Sequence, residues 1–190
     1  MKGAFWLLGI IVSVPLLTSC ATLSKEECLT GNWESIGYAD GAAGRSSDHL
    51  NRHNKACAKV GVATNYQMWE KGRQQGLKQY CTATNAYQLG KRGSQLNAVC
   101  PASVTPKLDR INADGRRYYS INQQIVNEKK KLKEYTDDYE SLRNGSNLDF
   151  TDERDARSYL IELPPKIYQV QERIDRLEYQ LQQLQQAVGY

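Results

Sequence analysis

The 190-residue chain carries two histidines, two phenylalanines and two methionines. It has no G-x-S-x-G and no H-E-x-x-H, so nucleophile-elbow hydrolase and zincin chemistry lack their usual residues. No G-x-x-x-x-G-K-[ST] is present and no cofactor motif stands out. The longest apolar run, Ala4 to Leu17, falls short of the roughly 20 residues a transmembrane helix needs. All five cysteines lie at or before residue 100, and the last 90 positions hold none.

The short apolar run does have a use. Lys2, the run itself and the small residues before Cys20 form the three parts of a secretory signal over residues 1–19. Leu17-Thr18-Ser19-Cys20 resembles a bacterial lipobox, which implies that Cys20 is lipidated and becomes the mature N-terminus. Acyl chains on Cys20 then anchor the chain to a membrane. With Ala21 rather than aspartate after the cysteine, the resemblance points to the outer membrane and the periplasm.

Once Cys20 is set aside, Cys28, Cys57, Cys81 and Cys100 form an even set in an oxidising compartment. Three pairings are open. Cys28 with Cys57 and Cys81 with Cys100 is favoured, because each pair brackets one short helical unit.

Composition splits the mature chain at "CPASVTP", giving a first unit over 20–103 and a second over 104–190. The first has 10 Lys plus Arg against 6 acids; the second has 14 against 15. In the second unit Ile111, Tyr118, Ile125, Leu132 and Tyr139 recur every seven residues, accompanied by Ile121, Tyr135 and Leu142. Ile167, Val170, Ile174, Leu177, Leu181, Leu184 and Val188 alternate spacings of three and four. These are heptad seams, and they predict an antiparallel coiled-coil hairpin with arms at about 107–143 and 152–188. Gly145 should end the first arm and Thr151, followed by Asp152 and Glu153, should start the second. Pro164-Pro165 should break or kink the return arm. Asp114 and Glu128 interrupt the first seam and either set register or face water.

The first unit is dominated by "WESIGYADGAAGR". On a helix, Trp33, Gly37, Gly41 and Gly44 share one face, and Trp69, Gly72, Gly76 and Tyr80 in "WEKGRQQGLKQYC" cluster in the same way. Gly90 and Gly93 give a looser third version. Glycine inside a helix costs about 1 kcal/mol relative to alanine, so this pattern predicts helices packed backbone to backbone. Trp33, Tyr38, Tyr66, Trp69, Tyr80 and Tyr87 are available to fill the space around them. Capping boxes at Ser24 and Thr64, with Gly31 and Gly61 as stops, predict three or four short helices. The fold class is therefore all-α: a small disulfide-stapled helical domain followed by a long hairpin.

Cys28, the Trp33–Arg45 run, "HNKAC", "YQMWEKGRQQGLKQYC" and "YQLGKRGSQLNAVCP", in that order over residues 20 to 101, resemble an uncharacterised family of Gram-negative lipoproteins, domain-of-unknown-function family 2799. The resemblance implies location and architecture and brings no activity, substrate or catalytic residue.

His49, His53 and Cys57 in "DHLNRHNKAC" have the i, i+4, i+8 spacing of three zinc ligands on one side of a helix. Leu50, His53, Cys57 and Val60 make an equally good buried face, and a disulfide sulfur is no thiolate ligand, so the helix is read as structural. Asp137-Asp138 and Asp152-Glu153 read as solvated charge near the hairpin turn. Arg45, Arg52, Lys55, Lys59, Lys71, Arg73, Lys78, Lys91 and Arg92 give the first unit a positive surface suited to anionic lipid or cell-wall polymer. Nucleic acid is not expected outside the cytoplasm. The functional expectation is a non-enzymatic envelope adaptor working through its hairpin, by contact with another envelope protein or with a second copy. A peptidoglycan-binding module is the alternative, and a cell-wall enzyme comes last.

Overall fold

The computed structural model describes residues 22–146 and 148–187. The expected signal segment, Cys20 and Val188 lie outside the described residues. The described chain is helical throughout: α1 (Lys25–Thr30), α2 (Trp33–Ala42), a 3-10 turn (Ser47–His49), α3 (Leu50–Cys57), a second 3-10 turn (Ala58–Val60), α4 (Tyr66–Tyr80), α5 (Ala83–Lys91), α6 (Thr105–Arg143) and α7 (Glu153–Ala187). None of these helices is long and apolar enough to cross a membrane.

Local chemistry sets the helix ends. Ser24 and Glu27 form the expected capping box, and Gly31 and Gly61 end their helices with φ of 62° and 73°. Two caps shift by one residue. Asn65, not Thr64, accepts from the Met68 amide to open α4. Asp152, not Thr151, accepts from the Arg154 amide at the start of α7. In both cases the carboxamide or carboxylate oxygen reaches a free N–H group of the first turn. The first unit holds five α-helices, more than expected, because the turns at 47–49 and 58–60 isolate α3 as a helix of its own.

Disulfides join Cys28 to Cys57 and Cys81 to Cys100. Each contributes about 2 to 4 kcal/mol, chiefly by restricting the unfolded chain. Cys28 and Cys57 belong to one small core with Leu23, Trp33, Leu50 and Trp69. A second core gathers Leu77, Tyr80, Ala86, Tyr87, Leu96, Leu108 and Ile111.

Leu108 and Ile111 come from α6, so the core of the first unit runs on past the "CPASVTP" division. The buried Asn112 completes this junction: its Oδ1 accepts from Leu96 N at 3.2 Å, and its Nδ2 donates to Ala86 O at 2.9 Å and Ser94 O at 3.0 Å. Such a fully satisfied buried amide is more costly to disturb than an apolar one. Helix α6 is thus one beam with two roles. Its first three turns close the globule, and the remainder forms a hairpin with α7.

Along the hairpin, Ile121, Ile125 and Leu184 are buried, with Tyr118, Leu177 and Leu181 packed around them. Leu163, Val170 and Ile174 continue the seam on α7. Glu128 accepts from Arg173 of the opposite arm at 3.1 Å and from Lys131 of its own arm at 3.1 Å. Near the turn, the Tyr159 hydroxyl donates to Asp138 at 2.8 Å.

Of the expected break or kink at Pro164 and Pro165, the break does not occur: α7 is one continuous helix through both. Each proline removes one backbone donor, but Leu163 and Val170 on either side are fully buried. Seam packing on α6 holds the helical path that the prolines alone would interrupt.

Candidate functional site

The glycine pattern resolves into a reciprocal interface between α2 and α4. A Cβ on Gly37 would lie 3.0 Å from Arg73 N, and one on Gly41 2.9 Å from Leu77 N. From the other side, a Cβ on Gly72 would meet Tyr38 N at 2.8 Å. The carbonyl oxygens of Trp69 and Arg73 sit closer still to Gly37 and Gly41, and those of Glu34 and Tyr38 to Gly72 and Gly76. Backbone meets backbone, and no side chain larger than hydrogen fits at the four positions.

Gly44 departs from the expected helical face. Helix α2 ends at Ala42, and Gly44 adopts φ 69° against the Tyr80 ring. Its role is a left-handed turn under an aromatic ring. Gly90 and Gly115 repeat the close approach between α5 and α6, where a Cβ on Gly90 would lie 2.8 Å from Arg116 N. Spacing links Gly90 with Gly93, whereas the contact is made with Gly115, a lone glycine inside an otherwise ordinary heptad pattern.

Of the aromatic residues set around the glycines, Trp33, Trp69, Tyr80 and Tyr87 are buried, whereas Tyr38 and Tyr66 are exposed. Lys91 lies 4.5 Å from the ring of Tyr118, a cation–π contact that ties α5 to α6. Arg73 also leaves the proposed positive surface. It is buried, pairs with Glu70 at 2.7 and 2.8 Å, and donates to Arg45 O at 3.2 Å.

The close α2–α4 approach assembles a polar centre. Asp40 Oδ2 accepts from Trp69 Nε1 at 2.8 Å and lies 2.7 Å from His53 Nε2. Its other oxygen faces His49 Nε2 at 3.5 Å. His53 Nδ1 lies 3.0 Å from the Thr22 hydroxyl, so the centre joins α2, α3, α4 and the segment before α1. Burial raises the Asp40 pKa, but hydrogen bonds from His53 and Trp69, with the charges of both imidazoles, more than offset this and hold it below the usual carboxylate range. Burial pushes the His49 pKa down, and Asp40 only partly restores it.

His49 and His53 were singled out from sequence with Cys57, but Cys57 is tied to Cys28. Asp40, 13 residues upstream of His53, takes the third place. Nothing in "YADGA" marks it, because its role follows from packing between helices that sequence spacing does not encode. Beside His49, a polar cleft is lined by Arg45, Ser46, Arg52 and Asn97. Among the described residues, neither Arg45 nor Arg52 forms an ion pair.

The second candidate surface lies on the hairpin. Ile161, Tyr168 and Tyr179 are 75%, 65% and 63% exposed. At 100° per residue they project within about 20° of one another, with Pro165 beside them. Leu163, Val170, Ile174 and Leu181 point to the opposite side and are buried or half-buried against α6. Helix α7 therefore buries one apolar seam against α6 and exposes three separate apolar side chains on its other side, where Glu172 and Asp175 stand between Tyr168 and Tyr179.

The profile of a family described as "Protein of unknown function (DUF2799)" matches residues 32–117. That span runs from the N-cap of α2 through the α2–α4 and α5–α6 glycine contacts and stops where α6 leaves the globule. No curated protein and no solved structure matches the chain.

Proposed function

We propose that this chain is a non-enzymatic envelope adaptor, anchored to the outer membrane through Cys20, which presents the outer side of α7 to a helical partner protein. The observation that carries the reading is the exposure of Ile161, Tyr168 and Tyr179 on the side of α7 turned away from its seam. Ile161, Tyr168 and Tyr179 stay largely exposed when the hairpin has packed on itself, and exposed aromatic residues are typical anchors of protein interfaces. The globule suits the membrane end of such a molecule, because it joins the start of the mature chain to the base of the hairpin. At about 1.5 Å per residue, the 35 residues of α7 hold these side chains along a rod of roughly 50 Å.

The test is a pull-down of the full-length chain after crosslinking in intact cells, compared with an Ile161→Asp, Tyr168→Asp, Tyr179→Asp variant. The native chain should capture one dominant envelope protein that the variant loses. Equal capture by both would overturn the reading.

Arg45 and Arg52, unpaired at the cleft beside His49, favour a second reading in which the basic unit binds acidic cell-wall polymer. Full-length protein in detergent should then cosediment with peptidoglycan at low salt and lose this on Arg45→Ala, Arg52→Ala. Absence of cosedimentation would remove it.

A further inference from the structure

We propose that Asp40, His49 and His53 form a binding site for a divalent transition-metal ion of the zinc class. The donors are one carboxylate and two imidazoles, a set that suits zinc and leaves one of four positions for water or another ligand. One ligand atom from each residue lies within 4.8 Å of the other two. Both imidazoles present the same nitrogen, Nε2, to the two oxygens of one carboxylate.

The distances fit an ion with small movements. Tetrahedral bonds of about 2.0–2.1 Å place ligand atoms roughly 3.3 Å apart. His49 Nε2 is 3.5 Å from Asp40 Oδ1, too far for a hydrogen bond and close to that spacing. His53 Nε2 lies 2.7 Å from the other oxygen, Oδ2, so an ion held by one carboxylate oxygen requires one imidazole to shift toward it, within the 4.8 Å that already encloses one donor from each residue.

The surroundings already contain the outer partners a metal site needs. In the neutral tautomer that carries its proton on Nε2, His53 donates to Asp40 and its Nδ1 accepts from Thr22. When Nε2 takes the metal, the proton moves to Nδ1 and donates to the same Thr22 oxygen at 3.0 Å. A hydroxyl serves both tautomers without moving. Trp69 Nε1, donating to Asp40 Oδ2 at 2.8 Å, orients the carboxylate in either state.

Burial favours neutral His49, the form that can ligate. The nearby guanidinium groups of Arg45 and Arg52 reinforce this and would draw an anion, rather than a second cation, to the open position. The Cys28–Cys57 disulfide fixes the end of α3 one turn beyond His53. The ligands are therefore held on elements that are already stapled together.

The test is a zinc titration of metal-stripped full-length protein in detergent, against a chromophoric chelator, with cobalt(II) absorption as a second readout. The native chain should bind one equivalent and give the visible bands of a low-coordinate cobalt site. His49→Ala keeps the hydrogen bonds of Asp40 and His53, so it should fold with native circular dichroism. It should weaken binding by more than about 10-fold, since even outer-shell substitutions cost that much. Failure of the native chain to bind zinc stoichiometrically, or equal affinity in folded His49→Ala, would overturn the proposal.

Discussion

Gly41 and Arg73 approach so closely that a methyl group on Gly41 would lie 2.8 Å from the Arg73 carbonyl carbon and nearer to its oxygen. Neither backbone can yield without moving its helix. Gly41→Ala should therefore destabilise the oxidised protein by about 3 kcal/mol or more, despite alanine's better helix propensity. Gly61→Ala is the control: its φ is 73° but a Cβ meets nothing within 4 Å, so the cost should be only about 1 kcal/mol. Urea denaturation of both variants measures the difference. Similar costs would mean that backbone conformation, not helix contact, sets the glycine requirement.

The Asp40 centre predicts a specific loss of stability in acid. His49 has its pKa lowered below about 6.5 in the folded chain, so the unfolded chain binds its proton first, and stability starts to fall as pH drops below that value. Asp40 has its pKa lowered below about 3.9, so its contribution is present above that value and lost as pH falls through the folded pKa. In metal-free buffer, the denaturation midpoint should decline in two stages. His49→Gln should remove the earlier stage and keep the later one. A midpoint unchanged in the native chain between pH 7 and pH 5 would contradict this.

Tyr159 donates to Asp138 across the hairpin, and burial followed by that carboxylate pushes its pKa up to about 12. Titration followed by NMR of labelled tyrosine should show one resonance with a midpoint near this value, absent in Tyr159→Phe. That variant should lose about 1 kcal/mol of hairpin stability. A midpoint near 10 would place the hydroxyl in solvent instead.

Helix propensity makes Pro165 expensive where it stands. Pro165→Ala should stabilise the hairpin by about 3 kcal/mol, read from the thermal midpoint, because it restores a backbone donor without touching the seam. Unchanged stability would indicate that the helix has adapted to the proline.

Sequence periodicity made the hairpin legible: Ile125, Ile174 and Leu184 are seam residues by spacing and buried in the structure. The glycines were equally clear, since four of them at helical spacing oppose helix formation unless something packs on them. That α2 and α4 pair with each other was not fixed by the repeated aromatic-glycine pattern, because smooth faces about 35 residues apart do not say which other helix each one meets. Asn112 and Asp40 were missed for a related reason. A polar residue on a helix looks solvated until its tertiary partners are known, and both are satisfied only by neighbours from other elements. The continuity of α7 through Pro164-Pro165 likewise depends on packing that outweighs a local preference.

The two faces of α7 give the adaptor reading its most direct measurement. A photo-crosslinking residue placed at Tyr168 in intact cells should yield one dominant adduct with another envelope protein, and the same residue at Gln180, exposed about 120° around the helix, should yield little of it. Adducts of equal intensity and composition from both positions, or none from Tyr168, would contradict the account.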